Sequence, residues 1–366
     1  MALSIGILGL PNVGKSTLFN ALTKAQNAQA ENYPFCTIEP NKATVPVPDP
    51  RLDSLEKLAK PQRVLCATVD FIDIAGLVRG ASKGEGLGNQ FLANVRECAA
   101  LLEVVRCFDD DNITHVEGSI DPLRDIETIE TELLLADIQT VERRLERVSR
   151  MAKGNKEMSA LAEDLQKLLS HLDEGKSAST FVFADYELMS QTRREMGLLS
   201  DKKIIYCANV DEAALAGTSK HLEALKALAA SRGAELVVIC ARLEEELQGL
   251  PEAEQLEMLA SYGVTEDGLS KIIHTGYRAL NLASYFTVGE KEVRAWTIDQ
   301  GCKAPKAAAV IHTDFERGFI RAEVISYDDY LKHGSESACR TAGVLRVEGK
   351  EYTVQDGDVV HFLFNV

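Results

Sequence analysis

Residues 9–16 read GLPNVGKS and match the pattern G-x-x-x-x-G-K-[ST]. The glycines let the backbone curl so that successive N–H groups point at phosphate oxygens, Lys15 reaches the β and γ phosphates, and Ser16 offers a hydroxyl to Mg²⁺. An apolar run at 3–8 precedes the motif, and a helical pattern follows it at 16–24. This order of strand, loop and helix opens an α/β nucleotide-binding domain, and the helix N-terminus adds attraction for phosphate. We therefore expect a phosphate site formed by Asn12, Val13, Gly14, Lys15, Ser16 and Thr17.

Two later segments supply the remaining parts of a magnesium-dependent nucleotide site. Residues 64–74 predict a strand that ends near Asp73, where a carboxylate can orient the water ligands of Mg²⁺. Gly76 follows at the position where a backbone N–H meets the γ-phosphate, and Thr37, in the loop predicted at 26–50, can give Mg²⁺ a second hydroxyl. Mg²⁺ is therefore the expected cofactor, and the residues expected to hold it are Ser16, Thr37 and Asp73.

The composition fits a soluble globular chain of two or three domains. The chain has 366 residues, whereas a domain usually has about 100–200. The formal net charge of −16 excludes a uniformly basic nucleic-acid coat, because nucleic-acid phosphates repel an acidic surface. The eight cysteines form no C-x-x-C pair, which is typical of reduced thiols, and no run of about 18 apolar residues indicates a membrane span. We expect a cytoplasmic protein that does not bind a membrane.

The periodicity and charge pattern of the sequence change twice along the chain, which predicts three modules. Residues 128–200 have helical periodicity and dense opposite charges, which is typical of a long exposed helical hairpin of the coiled-coil type, and its turn is expected at 153–155. Strand patterns return at 203–208 and 235–240. The expected modules are a discontinuous nucleotide-binding domain at 1–127 and 201–280, a helical insertion at 128–200, and a small α+β module with one helix at 281–366.

These motifs resemble those of a known family. The run at 73–89, DIAGLVRGASKGEGLGN, is similar to the Obg-type GTPase signature. Residues 209–212, NVDE, and the C-terminal module narrow the resemblance to the YchF branch of the Obg-like ATPase family, over essentially the whole chain. The resemblance implies an α/β P-loop NTPase with a Ras-like G domain built on a mixed, mostly parallel sheet. It also implies a coiled-coil helical insertion and a C-terminal α+β TGS domain with the ubiquitin-like β-grasp fold.

The same resemblance implies an activity and partners. Members of the family hydrolyse ATP slowly with Mg²⁺ and bind the ribosome, through its large subunit or the whole particle and its rRNA. The implied role is a nucleotide switch in translation or stress regulation, and the expected oligomeric state is a monomer. Two alternatives are a GTPase of the Obg type and a ribosome- or protein-binding scaffold with vestigial hydrolysis.

The four residues at 209–212 favour adenine over guanine. GTPases resemble one another in Asn-Lys-x-Asp, where the lysine stem packs along the base and the aspartate accepts from guanine N1–H and the 2-amino group. Val210 lacks the cationic stem, and Glu212 is one methylene longer than aspartate, so hydrogen bonds set for guanine would be misplaced. Adenine offers a 6-amino donor and an N1 acceptor to backbone groups near Val210. The residues expected at the base are Asn209, Val210 and Glu212, and the alternative is that Asp211 reads guanine after a loop shift.

Hydrolysis is expected to be slow. Ras-type enzymes place a water-orienting glutamine directly after the Asp-x-x-Gly glycine, whereas this chain has Leu77, which can neither donate nor accept. Lys15 is expected to act on the phosphates during hydrolysis. His115, in the loop after a strand predicted at 101–108, is the candidate for positioning water. An exposed loop histidine without a catalytic role is the alternative.

A basic stripe lies near the expected turn of the helical hairpin. Six cations fall within fourteen residues, at Arg143, Arg144, Arg147, Arg150, Lys153 and Lys156. In a chain of charge −16, such a local stripe suits an RNA or ribosome contact. A solvated helix face with salt bridges to the interspersed glutamates is the alternative.

Overall fold

The structure, a computed structural model, describes residues 4–29, 41–74, 87–110 and 112–365. Within these ranges the strands are β1 (Ser4–Leu8), β2 (Lys42–Pro46), β3 (Arg63–Leu65), β4 (Thr68–Asp73), β5 (Ala100–Arg106), β6 (Lys203–Asn209), β7 (Glu235–Ile239), β8 (Leu282–Val288), β9 (Glu292–Asp299), β10 (Phe319–Ile325), β11 (Arg346–Glu348) and β12 (Val359–Phe364). The helices are α1 (Lys15–Gln29), α2 (Pro50–Ala59), α3 (Leu87–Glu97), α4 (Pro122–Met151), α5 (Lys156–Asp173), α6 (Glu187–Met196), α7 (Glu212–Leu215), α8 (Lys220–Arg232), α9 (Ala241–Leu247), α10 (Glu252–Ser261), α11 (Gly268–Ala279), α12 (Ala304–Ile311), α13 (Thr313–Arg317), α14 (Tyr327–His333) and α15 (Glu336–Thr341).

The first sheet has the strand order β2-β4-β1-β5-β6-β7. Neighbouring strands are parallel except β2, which is antiparallel to β4. Every residue of β5 is buried, and the adjacent Val104 and Val105 belong to different apolar clusters, as expected for a parallel strand covered on both faces. The carboxyl ends of β1, β4 and β6 lie at one edge, where such sheets have their ligand crevice. This mixed, mostly parallel α/β arrangement confirms the expected fold class.

Two expectations about the chain before Asp73 are wrong. Residues 64–74 do not form one strand, because β3 pairs with β9 in a second sheet while β4 pairs with β1 and β2 in the first. Residues 26–50 are not a continuous loop, because α1 continues to Gln29 and β2 lies within that stretch. The apolar residues of this stretch predict strands, but they do not predict that the chain passes from the second sheet to the first between β3 and β4.

Helices α4 and α5 form a long hairpin. Gly154, in the turn between them, has a φ of 84°, in the left-handed region that favours glycine. Asn155 caps α5 by accepting from the backbone N–H groups of Glu157 and Met158. The buried apolar residues between the helices recur at intervals of three, four or seven: Val141, Val148, Leu161, Leu165, Leu168 and Leu172. This spacing is typical of coiled-coil packing.

Asp137 fixes the point where the chain returns from the hairpin. Its carboxylate accepts from Leu199 N at 2.7 Å, from Ser200 N at 2.8 Å and from Ser200 Oγ at 2.6 Å. Asp137 is 1% exposed, and its burial raises the pKa of the carboxyl group, partly offset by these hydrogen bonds. The root of the hairpin therefore depends on a buried carboxylate that replaces lost water with three protein donors.

The predicted boundary at residues 127 and 128 falls inside a helix. Helix α4 begins at Pro122, and its first turns pack on the first sheet through Ile126, Ile129 and Leu133. The division of the chain into three modules therefore stays a prediction, with one continuous helix shared by two of them. None of the helices in the described ranges combines the length and apolar character that a membrane crossing requires.

The second sheet has the strand order β11-β10-β12-β8-β9-β3. Strands β8 and β9 form an antiparallel pair, β12 runs parallel to β8, and β10 is antiparallel to both β12 and β11. Helix α12 covers one face and buries Ala304, Ala307 and Ala308 in a cluster with Tyr285. This is the expected β-grasp arrangement, with β3 added at one edge. Helices α13, α14 and α15 accompany α12, whereas the sequence indicates one helix, because segments of five to seven residues carry little periodicity.

Candidate nucleotide site

The phosphate loop turns sharply between β1 and α1. Asn12 and Gly14 have positive φ angles of 65° and 96°, so the backbone enters the left-handed region twice within three residues. A Cβ on Gly14 would lie 2.1 Å from Asn209 Nδ2, and a Cβ on Gly9 would lie 2.7 Å from Val104 O. Conformation and close approach therefore require glycine at position 14, and close approach alone requires it at position 9.

Asn209 joins the phosphate loop to the first residue of α9, the helix that follows β7. Its Nδ2 donates to Val13 O at 2.9 Å, and its Oδ1 accepts from Ala241 N at 2.9 Å. Asn209 ends β6 and is 4% exposed, so these hydrogen bonds form away from water. The sequence assigns Asn209 to the base, and the structure shows it holding the phosphate loop to the start of α9.

Lys15 and Asp73 form an ion pair beside the phosphate loop. Their side chains are 10% and 20% exposed, and Asp73 ends the strand next to β1. Ser16 is exposed in the first turn of α1. A carboxylate and a hydroxyl are hard oxygen donors of the kind that Mg²⁺ prefers, so Ser16 and Asp73 fit the expected metal. Thr37 and Gly76 lie outside the described residues, and their roles stay predictions.

The side chains of Val210 and Asp211 both make contacts that stabilise the fold. Val210 is 2% exposed and packs in an apolar cluster with Val105 and Leu222, so its side chain faces the interior. Asp211 Oδ1 accepts from Ala214 N at 2.8 Å and caps α7. A cap of this kind contributes about 1 kcal/mol. Guanine recognition by Asp211 would therefore compete with a contact that stabilises the helix.

Glu212 is the first residue of α7, and its side chain is half-buried. Its carboxylate makes no hydrogen bond or ion pair with any residue in the described part of the chain. It lies close enough to Cys240 and Arg242, which flank Ala241 after β7, to interact with both electrostatically. Glu212 therefore offers a carboxylate at the crevice edge beside the start of α9, which Asn209 holds.

His115 is buried, so the alternative of an exposed loop histidine is wrong. The residue is 7% exposed, its Nε2 lies 2.8 Å from Asp125 Oδ2, and its Nδ1 accepts from Glu117 N at 3.1 Å. Because Nδ1 accepts, Nε2 carries the proton and donates to Asp125. Neither ring nitrogen is free to hold a water molecule in this conformation. The geometry supports a role in holding residues 112–118 against α4, and the catalytic role of His115 stays a prediction.

Contacts that the sequence does not reveal place the loop of His115 beside the phosphate loop. Asn12 Nδ2 donates to Thr114 O at 3.0 Å. The Arg106 guanidinium, in a residue that is 1% exposed, donates to the backbone carbonyl oxygens of Phe108, Asp110 and Ile113. An arginine inside an apolar strand is the one sequence signal for this arrangement, because an unpaired buried charge would be costly. Its acceptors are backbone atoms, which no residue pattern identifies.

Glu244 supports the helix that starts at Ala241. The residue is 2% exposed, and its carboxylate accepts from Gly268 N at 2.8 Å and from Leu269 N at 3.3 Å, at the start of α11. Burial raises the pKa of Glu244 from about 4.5 to about 7, although these hydrogen bonds favour the charged form. Because the Ala241 amide also binds Asn209, the protonation of Glu244 is linked to the stability of this side of the crevice.

We expect Glu244→Gln to remove part of the pH dependence of stability. Between about pH 4.5 and pH 7 the folded protein keeps the proton on Glu244 and the unfolded chain releases it. This group therefore lowers the free energy of unfolding as the pH rises, by at most about 1.4 kcal/mol per pH unit. Glutamine does not titrate, so urea denaturation at several pH values should give a shallower fall for the variant.

The control for this experiment is Glu246→Gln, a change in the same helix at a side chain that is 50% exposed. It should keep the slope of the parent protein, because this side chain is half exposed and folding does not bury it as it buries Glu244. Equal slopes for the parent protein and Glu244→Gln would mean that burial does not raise the pKa of Glu244.

Comparisons with known proteins match two parts of the chain to family models. Residues 4–149 match the family model MMR_HSR1, described as "50S ribosome-binding GTPase". Residues 282–365 match the family model YchF-GTPase_C, described as a "Protein of unknown function". The first match contains the phosphate loop and Asp73, and the second contains β8 to β12.

Full-length relatives extend the match to the whole chain. The proteins named "Ribosome-binding ATPase YchF" from Haemophilus influenzae and Bacillus subtilis are 52% and 50% identical to this chain, and each alignment covers all of both chains. The solved "Structure of the Schizosaccharomyces pombe YchF GTPase" is 42% identical, covers 99% of this chain and 97% of its own, and superposes with a TM-score of 0.88. The resemblance seen in the sequence is confirmed, and the chain belongs to the YchF family of P-loop NTPases.

Proposed function

We propose that this protein is a magnesium-dependent P-loop ATPase that binds the ribosome in the cytoplasm and acts as a slow nucleotide switch in translation or stress regulation. The name that the Haemophilus influenzae and Bacillus subtilis relatives share supports both activities. The observation that carries the choice of ATP is the arrangement of two carboxylates: Asp211 caps a helix, whereas Glu212 is left for a ligand.

The curled loop and Lys15 would hold the phosphates. Backbone N–H groups of residues 9–14, except Pro11, which has none, and of the first turn of α1 are donors for phosphate oxygens. Lys15 can exchange its partner Asp73 for phosphate without leaving its charge unpaired in a partly buried position. Mg²⁺, held by Ser16, Thr37 and Asp73, would neutralise charge on the β and γ phosphates.

Slow turnover fits the side chains available to orient water. Leu77 stands where Ras-type enzymes have glutamine, and both nitrogens of His115 are already engaged. If His115 orients water, it must first leave Asp125 and Glu117. Such a rearrangement suits an enzyme that acts as a timer and responds to a partner.

Glu212 provides a chemical reason for adenine preference. The 6-amino group of adenine can donate to a carboxylate, and a hydrogen bond to a charged acceptor is stronger than a neutral one. Guanine presents a carbonyl oxygen at the same position of the ring, and a carboxylate repels it because both groups are acceptors. Val210 adds to this difference, because its buried side chain leaves no cationic stem along the base.

We expect Glu212→Gln to lower the preference for ATP over GTP by about tenfold or more. The variant replaces a hydrogen bond to a charged group, worth about 1.5–3 kcal/mol, with a weaker one to a neutral acceptor, and the glutamine amide can also donate to guanine O6. Competition of ATP and GTP against a labelled ATP analogue, with Mg²⁺ present, measures the preference.

The matched control is Glu223→Gln, which neutralises an exposed carboxylate on α8 and should leave the preference unchanged. If GTP displaces the labelled ATP analogue from the parent protein at a concentration about tenfold lower than ATP does, the assignment of ATP as the preferred nucleotide is reversed. That result would favour the GTPase alternative. The name of the Schizosaccharomyces pombe structure also contains the word GTPase.

The turn of the α4–α5 hairpin is the surface that we assign to ribosomal RNA. Arg144 belongs to the fold, because it pairs with Glu195 at 2.8 Å. Arg150 faces solvent with its side chain 79% exposed, and its pair with Glu146 is long, at 3.4 Å. The other exposed cations near the turn are Arg143, Arg147, Lys153 and Lys156. Cations that protein carboxylates do not neutralise can release counterions from RNA phosphates on binding.

We expect the double variant Arg150→Glu, Lys153→Glu to bind ribosomes about tenfold or more weakly and with a flatter salt dependence. Each lost phosphate contact removes about one unit from the slope of log affinity against log salt. Co-sedimentation with purified ribosomes at several salt concentrations measures both quantities. The control double variant, Lys220→Glu, Lys226→Glu, reverses two exposed charges on α8 and should bind like the parent protein. Equal binding by both variants would exclude the turn as the contact.

A further inference from the structure

The chain between β2 and β4 belongs to both sheets. Val47 N donates to Ala67 O at 2.8 Å and closes the antiparallel pair of β2 and β4. Residues 48–66, here called the connection, leave the first sheet and form α2 and β3. Strand β3 pairs in parallel with β9, so the connection supplies an edge strand to the second sheet. A segment that connects two strands of the first sheet is thus built into the C-terminal sheet.

Apolar packing holds the connection between the two sheets. Leu52 and Leu55 of α2 are 2% and 0% exposed. They lie in one cluster that contains Phe286 and Val293 of the second sheet and Val69 of β4. Because one close-packed cluster spans both sheets, displacement of one sheet is felt by the other.

Arg51 adds a polar joint at the start of α2. Its guanidinium pairs with Asp49 at 2.8 Å and with Asp356, in the turn before β12, at 2.7 Å, and it lies 5.1 Å from the centre of the Phe286 ring. Asp356 also accepts from Ser284 N, in β8, at 2.8 Å. The Arg51 side chain is 28% exposed, so water only partly screens these contacts. The joint therefore connects α2 directly to β8.

The other end of the connection leads to Asp73. Strand β4 starts one residue after Ala67 and ends at Asp73, whose carboxylate pairs with Lys15. Asp73 N donates to the backbone oxygen of Asn41, the residue before β2, at 2.8 Å. Both strands that flank the connection therefore run to the carboxylate assigned to Mg²⁺. Ladder hydrogen bonds make such a strand pair move as one unit.

We propose that the connection couples the magnesium side of the nucleotide site to the second sheet, with Arg51 as the positioning residue. The inference rests on the proposed binding of Mg·ATP. Engagement of Asp73 by the nucleotide displaces β2 and β4, and β3 together with the Arg51 contacts carries the displacement to β8 and β9. Because coupling between two sites is reciprocal, a partner bound to the second sheet changes the affinity for Mg·ATP by the same factor.

Hydrogen exchange of the full chain with and without Mg·ATP tests this coupling. In the parent protein, Mg·ATP should protect the phosphate loop and change the exchange rates of β3, β8 and β9 by about threefold or more. In Arg51→Gln, the phosphate loop should still gain protection, and β9 should keep the response that it receives through β3. Strand β8, which the Arg51 contacts reach through Asp356, should lose most of its response. The control is Arg346→Gln, because Arg346 also lies over an aromatic ring, Tyr352, and near a carboxylate, Asp358, but within the second sheet alone. It should respond like the parent protein.

The outcomes separate this inference from the proposed function. A protected phosphate loop without a response in β8 and β9 of the parent protein, or a full response of β8 in Arg51→Gln, overturns the coupling and leaves Mg·ATP binding in place. No protection of the phosphate loop in the parent protein overturns both. If Arg51→Gln does not fold, Asp356→Asn removes the same ion pair, keeps an acceptor for Ser284 N, and must show the same loss in β8.

Discussion

The side-chain amide of Asn209 is the contact on which the nucleotide site depends. It bridges Val13 O and Ala241 N at 2.9 Å each, and it lies so close to Gly14 that no Cβ fits there. The curl of the phosphate loop and the position of α9 are therefore set by one buried group. Leaving either backbone partner unpaired in the interior would cost about 1–3 kcal/mol. The crevice keeps its shape because this amide holds both of its sides.

The α4–α5 hairpin and the second sheet are attached to the nucleotide-binding part by different kinds of interaction. At the hairpin root, the buried carboxylate of Asp137 accepts three hydrogen bonds, and its loss would leave buried donors unpaired. At the second sheet, the polar joint of Arg51 and Asp356 is partly exposed, and ion pairs in such positions contribute about 1 kcal/mol or less. Strand pairing and the shared apolar cluster must therefore carry most of that attachment. This makes Arg51 suited to adjusting the joint rather than to holding the fold.

The sequence predicts best what depends on neighbouring residues. The phosphate loop can be read because its glycines, Lys15 and Ser16 are consecutive in the chain. The turn of the hairpin can be read because Gly154 separates two periodic segments. The sheet that β3 joins cannot be predicted in this way, because apolar periodicity identifies a strand but not its partner strand. Its partner β9 lies more than 200 residues further along the chain.

Polar side chains also differ in whether neighbouring residues in the sequence predict their roles. Asp211 stands directly before a helix, so its capping role has a local signal, which weakens the guanine alternative. The engagement of both nitrogens of His115 has no local signal, because it depends on how residues 112–118 fold back onto α4. Sequence patterns identify residues that could do chemistry, but the structure decides which of them are already occupied.

The binding of Mg·ATP at residues 9–16 is the claim on which the proposed function rests. Isothermal titration calorimetry of folded, nucleotide-free protein tests it most directly. The proposed site predicts saturable heat with one Mg·ATP per chain and weaker binding of Mg·GTP under the same conditions. An absence of heat with Mg·ATP across several temperatures, from protein whose circular dichroism shows it to be folded, would contradict the claim.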